Sequence, residues 1–261
     1  MRFLTNGLRG LEPLLLDPIR ARDIVETSKQ AGLGEMIAQF FGEAPKPYVA
    51  GNVAYVPLSG PIGKGLSPME RMMGGADVDV VAGWLDEAEQ NPAVEKVFLY
   101  VNSPGGTVTG VEELAAQFAD MKKPTRAFAD NMAASAGYWV ASQADEFIVT
   151  PSSQIGSVGV YLLVPNLEDY YAAQGIKVEV IAAGIYKAAG AEGLPLTEDQ
   201  RKNLTESVYA TRDTFRGAVR NKRRFVRDED MEGQVFTGRE AAARGLATGL
   251  AQNLREALAS F

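Results

Sequence analysis

The sequence contains no histidine and no cysteine among its 261 residues. Without histidine, the Ser-His-Asp triad, the Cys-His dyad and zinc sites built on imidazole are all excluded. Without cysteine, the chain has neither a disulfide framework nor a thiolate nucleophile. Any catalysis must therefore use hydroxyl, amine, carboxylate or guanidinium side chains, or a metal held through oxygen atoms.

A surplus of positive charge and a long apolar run are also missing. Lys and Arg number 26 against 33 Asp and Glu, which gives a net charge of -7, and because phosphate binding needs a basic surface we predict no nucleic-acid partner. The longest apolar stretch, residues 155–165, is short and broken by glycine, and residues 1–22 lack the apolar core of a signal peptide. We therefore expect a cytoplasmic protein with no stable membrane anchor.

Proline punctuation divides the chain into two regions. Residues 1–47 contain two short helical patterns, one of them IVETSKQAGLGEMIAQFFG, and end in the Pro-Lys-Pro of residues 45–47, which is typical of a linker. We therefore predict an N-terminal helical extension over residues 1–47 and one α/β domain over residues 48–261.

Strand and helix patterns alternate through the second region. The predicted strands are VAYVPL (53–58), VEKVFLYV (94–101), TRAFAD (125–130), EFIVT (146–150) and VEVIA (178–182). Because alternating strands and helices imply crossover connections, they predict a mainly parallel sheet. A long helix is predicted over residues 197–222, opened by a capping-box pattern at Thr197, and the tail QVFTGREAAARGLATGL predicts a further helix.

One serine stands among small residues in NMAASAGYWVAS, residues 131–142. Ser135 lies between a predicted strand and a predicted helix, where free N–H groups and the helix dipole favour developing negative charge. Small neighbours are also typical of a nucleophile elbow, in which the chain turns sharply. The same residues equally suit a serine that only caps a helix, so the local pattern leaves both interpretations open.

A glycine-rich turn, NSPGG, follows the second predicted strand at residues 102–106. Ligands of α/β sheets bind at the carboxyl ends of the strands, so N–H groups of Gly105 or Gly106, together with that of Ala136, are candidates for an oxyanion hole. In isolation, the turn is equally an ordinary strand–helix connection.

Lysine is the main candidate for a base in a chain without histidine. A free lysine titrates near ~10.4, so a lysine base must be desolvated to be neutral at about pH 7. Lys187 follows an apolar stretch and is flanked by small residues in GIYKAAG, although a surface-loop lysine is the alternative. The lysines in charged contexts are Lys29, Lys122, Lys123, Lys202 and Lys222.

Weaker patterns support no site. SGPIGKGLS (59–67) lacks the spacing of a phosphate loop. Asp77 with Asp79, and the DED run at 228–230, carry hard-cation ligands, but such acidic groups are usually solvated. We predict no metal and no cofactor.

Five motifs in order resemble the signal peptide peptidase A (SppA) family of serine peptidases: NSPGG, MAASAGYW, QIGSVGV, GIYKAAG and VFTGREAAARGLATG. The first 47 residues and the absence of an anchor are more similar to its phage and prophage branch, the head maturation proteases related to the lambda capsid protease. The resemblance implies a ClpP/crotonase-like superhelix of β-β-α units with a mainly parallel sheet.

The resemblance also implies roles and partners. Ser135 matches the nucleophile, Lys187 the general base, Ser157 the hydroxyl that orients the lysine, and Gly105 or Gly106 with Ala136 the oxyanion hole. The implied substrate is an extended peptide or protein and the implied assembly a homo-oligomeric ring, with capsid, scaffold or portal proteins as partners in a host cytoplasm or procapsid. The alternatives are a crotonase-like acyl-CoA enzyme and a non-catalytic assembly protein on the same fold.

Overall fold

The computed structural model describes residues 14–16, 45–259 and 261. Its strands are β1 (Leu14–Leu16), β2 (Tyr48–Ala50), β3 (Val53–Ser59), β4 (Ile62–Gly63), β5 (Ala76–Asp77), β6 (Lys96–Asn102), β7 (Gly105–Thr107), β8 (Thr125–Ala129), β9 (Met132–Ala134), β10 (Glu146–Val149), β11 (Gln154–Gly156), β12 (Val235–Thr237) and β13 (Gly249–Leu250). Its helices are α1 (Pro68–Met72), α2 (Val78–Gln90), α3 (Val111–Ala119), α4 (Ala136–Ala141), α5 (Glu168–Ala173), α6 (Glu198–Lys222), α7 (Gly238–Ala243) and α8 (Leu254–Ala259), with a 3-10 turn at Asp228–Asp230.

A repeated strand–strand–helix unit organises the domain. The units are β3–β4 with α2, β6–β7 with α3, β8–β9 with α4, and β10–β11. The first strand of each unit joins a six-stranded sheet of order β13-β10-β8-β6-β3-β2, parallel except for β2 at one edge. The second strands join two smaller sheets, β1-β7-β4-β5 and β12-β11-β9. This architecture confirms the predicted superhelix of β-β-α units with a mainly parallel sheet.

The central strands are apolar because both faces of the large sheet are covered. β8 is buried along its whole length, as expected for a parallel strand between two layers. One face belongs to the main core with α2, α3 and α4. On the other face Phe98 and Phe128 pack with Phe261, which also lies under the guanidinium of the buried Arg126.

Helix α4 is held from every side. All six of its residues are buried, which is the pattern of a helix inside a core. Trp139 stacks on Phe215 of α6 with ring centroids 4.6 Å apart, and the Tyr138 hydroxyl donates to the Leu246 carbonyl at 3.0 Å. Burial raises the pKa of Tyr138 above its ordinary range. The turn that leads into α4 is therefore fixed by the packing of the helix behind it.

The structure confirms the predicted start of helix α6 at Thr197. The Thr197 hydroxyl accepts the Gln200 N–H at 3.3 Å, and the Gln200 side chain accepts the Thr197 N–H at 3.1 Å. This reciprocal arrangement is a capping box, which satisfies two backbone donors that a helix end leaves free.

Two predicted elements are wrong. Residues 178–182 (VEVIA) form no strand, and Val180 and Ile181 are exposed, because no strand of the described chain lies beside them. The tail forms β12, the short helix α7 and β13 rather than one helix, since the chain turns at Gly245, whose φ is 78°. The predicted helical extension falls outside the described residues, except for residues 45–47 and for Leu14–Leu16, which form a strand.

Candidate functional site

Ser135 has a left-handed backbone, with φ 53° and ψ −121°. Among the described residues, only Ser135 and Ser157 combine a positive φ with a side chain. Such a conformation costs on the order of 1–3 kcal/mol and clusters at functional sites. Ser135 lies between β9 and α4, at a sharp strand-to-helix turn that has the layout of a nucleophile elbow.

Backbone hydrogen bonds hold this strained turn. The Ser135 N–H donates to the Gly156 carbonyl at 2.8 Å, and the Ser135 carbonyl accepts the Trp139 N–H at 2.8 Å. Ser135 is only 1% exposed, so a substrate must pack closely against the surrounding strands to reach it.

Ser157 lies beside Ser135 on the neighbouring strand. β9 and β11 pair in parallel with Ala134 opposite Gly156, so the two serines follow directly on strands that lie about 4.8 Å apart. Ser157 has φ 54° and donates its N–H to the Gln234 carbonyl at 2.6 Å. The structure thus brings together two predicted site residues that are 22 positions apart in the printed sequence.

Ser103 fixes the glycine-rich turn against this pair of strands. It forms a parallel bridge with Ala133, and its buried hydroxyl donates to the Gly60 carbonyl at 2.6 Å and accepts the Gly105 N–H at 3.1 Å. Because Ser103 already takes the Gly105 N–H, Gly106 is the stronger candidate donor for an oxyanion. Ser103 was not among the predicted site residues, and its position as the hydroxyl residue inside NSPGG was the only signal in the sequence.

Gly106 and Ala136 approach the site from different elements. A Cβ atom at Gly106 would lie 1.8 Å from the Ile62 carbonyl oxygen, so only glycine permits β7 to pair this closely with β4. Ala136 is the first residue of α4, and its N–H has no acceptor within the helix. Ala136 directly follows Ser135 in the chain, whereas Gly106 belongs to β7.

Lys187 is not brought to the serines. It lies in a turn closed by its own N–H, which donates to the Gly184 carbonyl at 3.1 Å. Lys187 is exposed, and no hydrogen bond joins its Nζ to either Ser135 or Ser157 within the described chain.

An ion-pair network supports the strand segment next to Ser157. The carboxylate of the buried Asp230 contacts Arg227 at 2.9 Å and Arg244 at 2.5 Å. The hydrogen bond from Arg227, followed by that from Arg244, lowers the pKa of Asp230 below its usual value. Gln234, whose carbonyl holds Ser157, donates its side-chain amide to the Glu229 carbonyl at 2.9 Å in the same segment.

The acidic residues that the sequence did not support as metal ligands make hydrogen bonds and ion pairs within the fold. Asp77 accepts the backbone N–H groups of Leu66 at 2.6 Å and of Asp79 at 2.9 Å, and Asp79 pairs with Lys64 at 2.7 Å. The members of the DED run pair with arginines. No group of three or more acidic side chains suited to a metal ion occurs in the described residues.

A cavity of about 430 Å³ lies away from the serines, beside α1 and α2. Met72, Val81 and Trp84 line it together with residues of the linker at 45–46. Neither serine nor the glycine pair lines this cavity.

The fold is a β-β-α superhelix, and it presents a strained serine at a strand-to-helix turn. Residues 117–260 match Peptidase family S49, and this match covers more than half of the chain. The chain therefore belongs to Peptidase family S49. Residues 54–169 also match the N-terminal domain of NfeD1b.

Several curated proteins are similar to this chain. "Putative protease MJ0651" of Methanocaldococcus jannaschii is 29% identical, over 82% of this chain and 68% of that protein. "Capsid assembly protease C" of Escherichia phage lambda is 30% identical, over 76% and 46% of the two chains, and "Protease 4" of Salmonella typhi is 28% identical, over 77% and 32%. The chain thus spans less than half the length of two of these three relatives.

Among solved structures, an enoyl-CoA hydratase/isomerase family member has a TM-score of 0.48 and 16% identity, over 82% of this chain and 73% of that one. Within the described residues, no helix has both the length and the apolar character needed to cross a bilayer.

Proposed function

We propose that this chain is a serine endopeptidase in which Ser135 is the nucleophile and Lys187 the general base. The observation that carries the proposal is the backbone of Ser135: a strained, non-glycine φ of 53° at a strand-to-helix turn, directly beside a second strained serine. Structural serines have no need of this conformation, whereas a nucleophile that must project from a tight turn does.

The proposed reaction has two stages, acylation of Ser135 and hydrolysis of the resulting ester. The neutral Lys187 amine takes the proton of the Ser135 hydroxyl, and the Ser135 oxygen attacks the substrate carbonyl carbon. The negative oxygen that forms is stabilised by the N–H groups of Gly106 and Ala136. The ammonium of Lys187 then returns the proton to the leaving amine, and water attacks the resulting ester by the same route. Ser157 orients the lysine amine.

Lys187 lies in a segment that exposes large apolar side chains. Within residues 161–197 these include Ile181, which is 97% exposed, and Ile185, which is 67% exposed. A monomer rarely exposes a continuous surface of this kind, and Lys187 belongs to the same segment. We infer that a second copy of the chain covers this surface, and that the Lys187 of one copy completes the site at the Ser135 of its neighbour.

Mixing two inactive variants tests both parts of the proposal. Ser135→Ala keeps the lysine, and Lys187→Ala keeps the serine, so each alone is expected to lose at least 1000-fold in peptide hydrolysis, in line with a lost catalytic group. When the two are mixed and reassembled, some sites pair an intact Ser135 with an intact Lys187. We expect activity to return, together with labelling of Ser135 by a fluorophosphonate probe.

The control is Lys202→Ala, which changes a lysine of α6 and should keep full activity. A fully active Lys187→Ala protein would refute the assignment of the base. If the mixture stays inactive at every ratio, although each variant assembles with the wild type, Lys187 serves the serine of its own subunit.

The biological role that we propose is processing of capsid or scaffold proteins during phage head maturation. The support is the similarity to "Capsid assembly protease C" of phage lambda and to "Head-tail preconnector protein GP5" of Enterobacteria phage P21, which is 26% identical over 90% of this chain and 52% of that protein. Digestion of co-expressed capsid and scaffold proteins by the wild type, but not by Ser135→Ala, is the expected result.

A further inference from the structure

Strand β7 contains Gly106, the candidate oxyanion donor, and one edge of this strand is occupied by another part of the same chain. β1 and β7 pair in an antiparallel ladder, while β4 pairs with the other edge of β7. Strand β7 is therefore paired with β1 over all three of its residues and with β4 at Gly106. The antiparallel pairs are Leu14 with Thr107, Leu15 with Gly106, and Leu16 with Gly105.

This edge is the one that a substrate needs. The carbonyl group to be attacked must reach both Ser135 and the N–H of Gly106, so the residues before the scissile bond must run along β7. Extended peptides commonly bind by adding a strand to such an edge, with main-chain hydrogen bonds supplying affinity. Because β7 leads from Gly105 towards Thr107, a peptide in antiparallel register directs its C-terminal end towards Gly105 and the serine.

Strand β1 has the same polarity. Its first residue, Leu14, is opposite Thr107, and its last, Leu16, is opposite Gly105. The chain direction of β1 is thus the direction of a substrate approaching its own cleavage point.

We propose that Leu14–Leu16 is an intramolecular pseudosubstrate. It occupies the edge of β7 along which the substrate residues before the scissile bond would bind. The segment must therefore leave this edge before a substrate can bind. The proposal rests on the proposed function for the identity of this groove, and it defines the ligand class as an extended, leucine-containing segment. A tethered competitor has an effective concentration on the order of millimolar, so even a weakly held strand competes with substrates at micromolar concentration.

A binding experiment on full-length protein tests the occupancy without any turnover. The probe is a fluorescent peptide with the sequence of residues 11–20, LEPLLLDPIR, and the protein carries Ser135→Ala. Adding Leu14→Pro and Leu15→Pro removes the N–H facing β7, whichever of the two it is, because successive N–H groups in a strand point to opposite sides. We expect this protein to bind the probe at least tenfold more tightly than the Ser135→Ala protein with an intact β1.

The matched control places the two prolines at Leu8 and Arg9, outside β1, where we expect no change in probe affinity. Equal affinity for the probe peptide with and without an intact β1 would contradict the proposal that Leu14–Leu16 is a pseudosubstrate. The proposed function fails separately, through full activity of the Ser135→Ala or the Lys187→Ala protein, so the two failures can be told apart.

A disulfide lock gives an independent test of the register. The chain has no cysteine, so Leu14→Cys with Thr107→Cys creates a single thiol pair, and residues directly opposite on antiparallel strands lie within disulfide range. We expect oxidation to link the two strands and to abolish probe binding, and reduction to restore it. Absence of the link, or binding that oxidation leaves unchanged, contradicts the proposal.

Discussion

At the scale of single residues, strain marks the candidate site more sharply than polarity does. Ser135 and Ser157 are separated in the chain, yet they share a positive φ and follow paired positions on β9 and β11. The small neighbours of Ser135 made it predictable from the sequence. Ser103 was not, because its role depends on the distant Gly60 carbonyl, which only the folded chain brings near.

The strain at Ser135 should be measurable. Glycine adopts a positive φ without cost, so Ser135→Gly is expected to be about 1 kcal/mol more stable to unfolding than Ser135→Ala, which keeps the strained backbone. Urea denaturation of the two inactive variants measures the difference. Equal stabilities would mean that the turn carries no strain.

At the scale of elements, the local signal was reliable where the sequence predicted a capping box. Helix α6 begins directly after Thr197, because the residues that form this cap lie within three positions of the helix start. The strand predicted for VEVIA was wrong because an apolar run predicts that the residues are buried but does not show which part of the protein covers them. Its cover, by our proposal, is a second copy of the chain.

The contact between β4 and β7 provides a prediction at this scale. Gly106→Ala should destabilise the fold by about 2 kcal/mol, through overpacking against the Ile62 carbonyl, and should displace the candidate oxyanion donor. The control is Gly83→Ala in α2, where an added Cβ meets nothing within 4 Å and should stabilise the helix by about 0.5–1 kcal/mol. Thermal unfolding and peptide hydrolysis report the two effects; a fully active, stable Gly106→Ala protein would contradict this account.

At the scale of the whole molecule, the missing histidine shapes the response to pH. No side chain has an unperturbed pKa between pH 5 and 8, so the free energy of unfolding should be nearly flat there. Hydrogen bonds from Arg227 and Arg244 lower the folded-state pKa of Asp230 below the usual value of an aspartate. A lowered carboxyl pKa contributes stability that is present above the unfolded value and is lost as pH falls through the folded value.

We therefore expect stability to fall below about pH 4, by up to about 1.4 kcal/mol per pH unit for each proton taken up on unfolding. Asp230→Asn should lower stability at neutral pH and weaken this acid slope. The exposed Asp213, which pairs with Arg212 at 2.7 Å, provides the control, since Asp213→Asn should leave the slope unchanged. Denaturation curves from pH 2 to pH 7 test this, and an identical acid slope in wild type and Asp230→Asn would refute it.

The hydrogen bond from Ser157 to the Gln234 carbonyl also sets an order in time. During synthesis Ser135 leaves the ribosome long before Gln234, and β11 must wait for β12 to close its second edge. Until then, the hydrogen bond that holds Ser157 beside Ser135 cannot form. A nascent chain therefore holds Ser135 beside a strand that is not yet paired on both edges, so the candidate site is completed only after β12 has been synthesised.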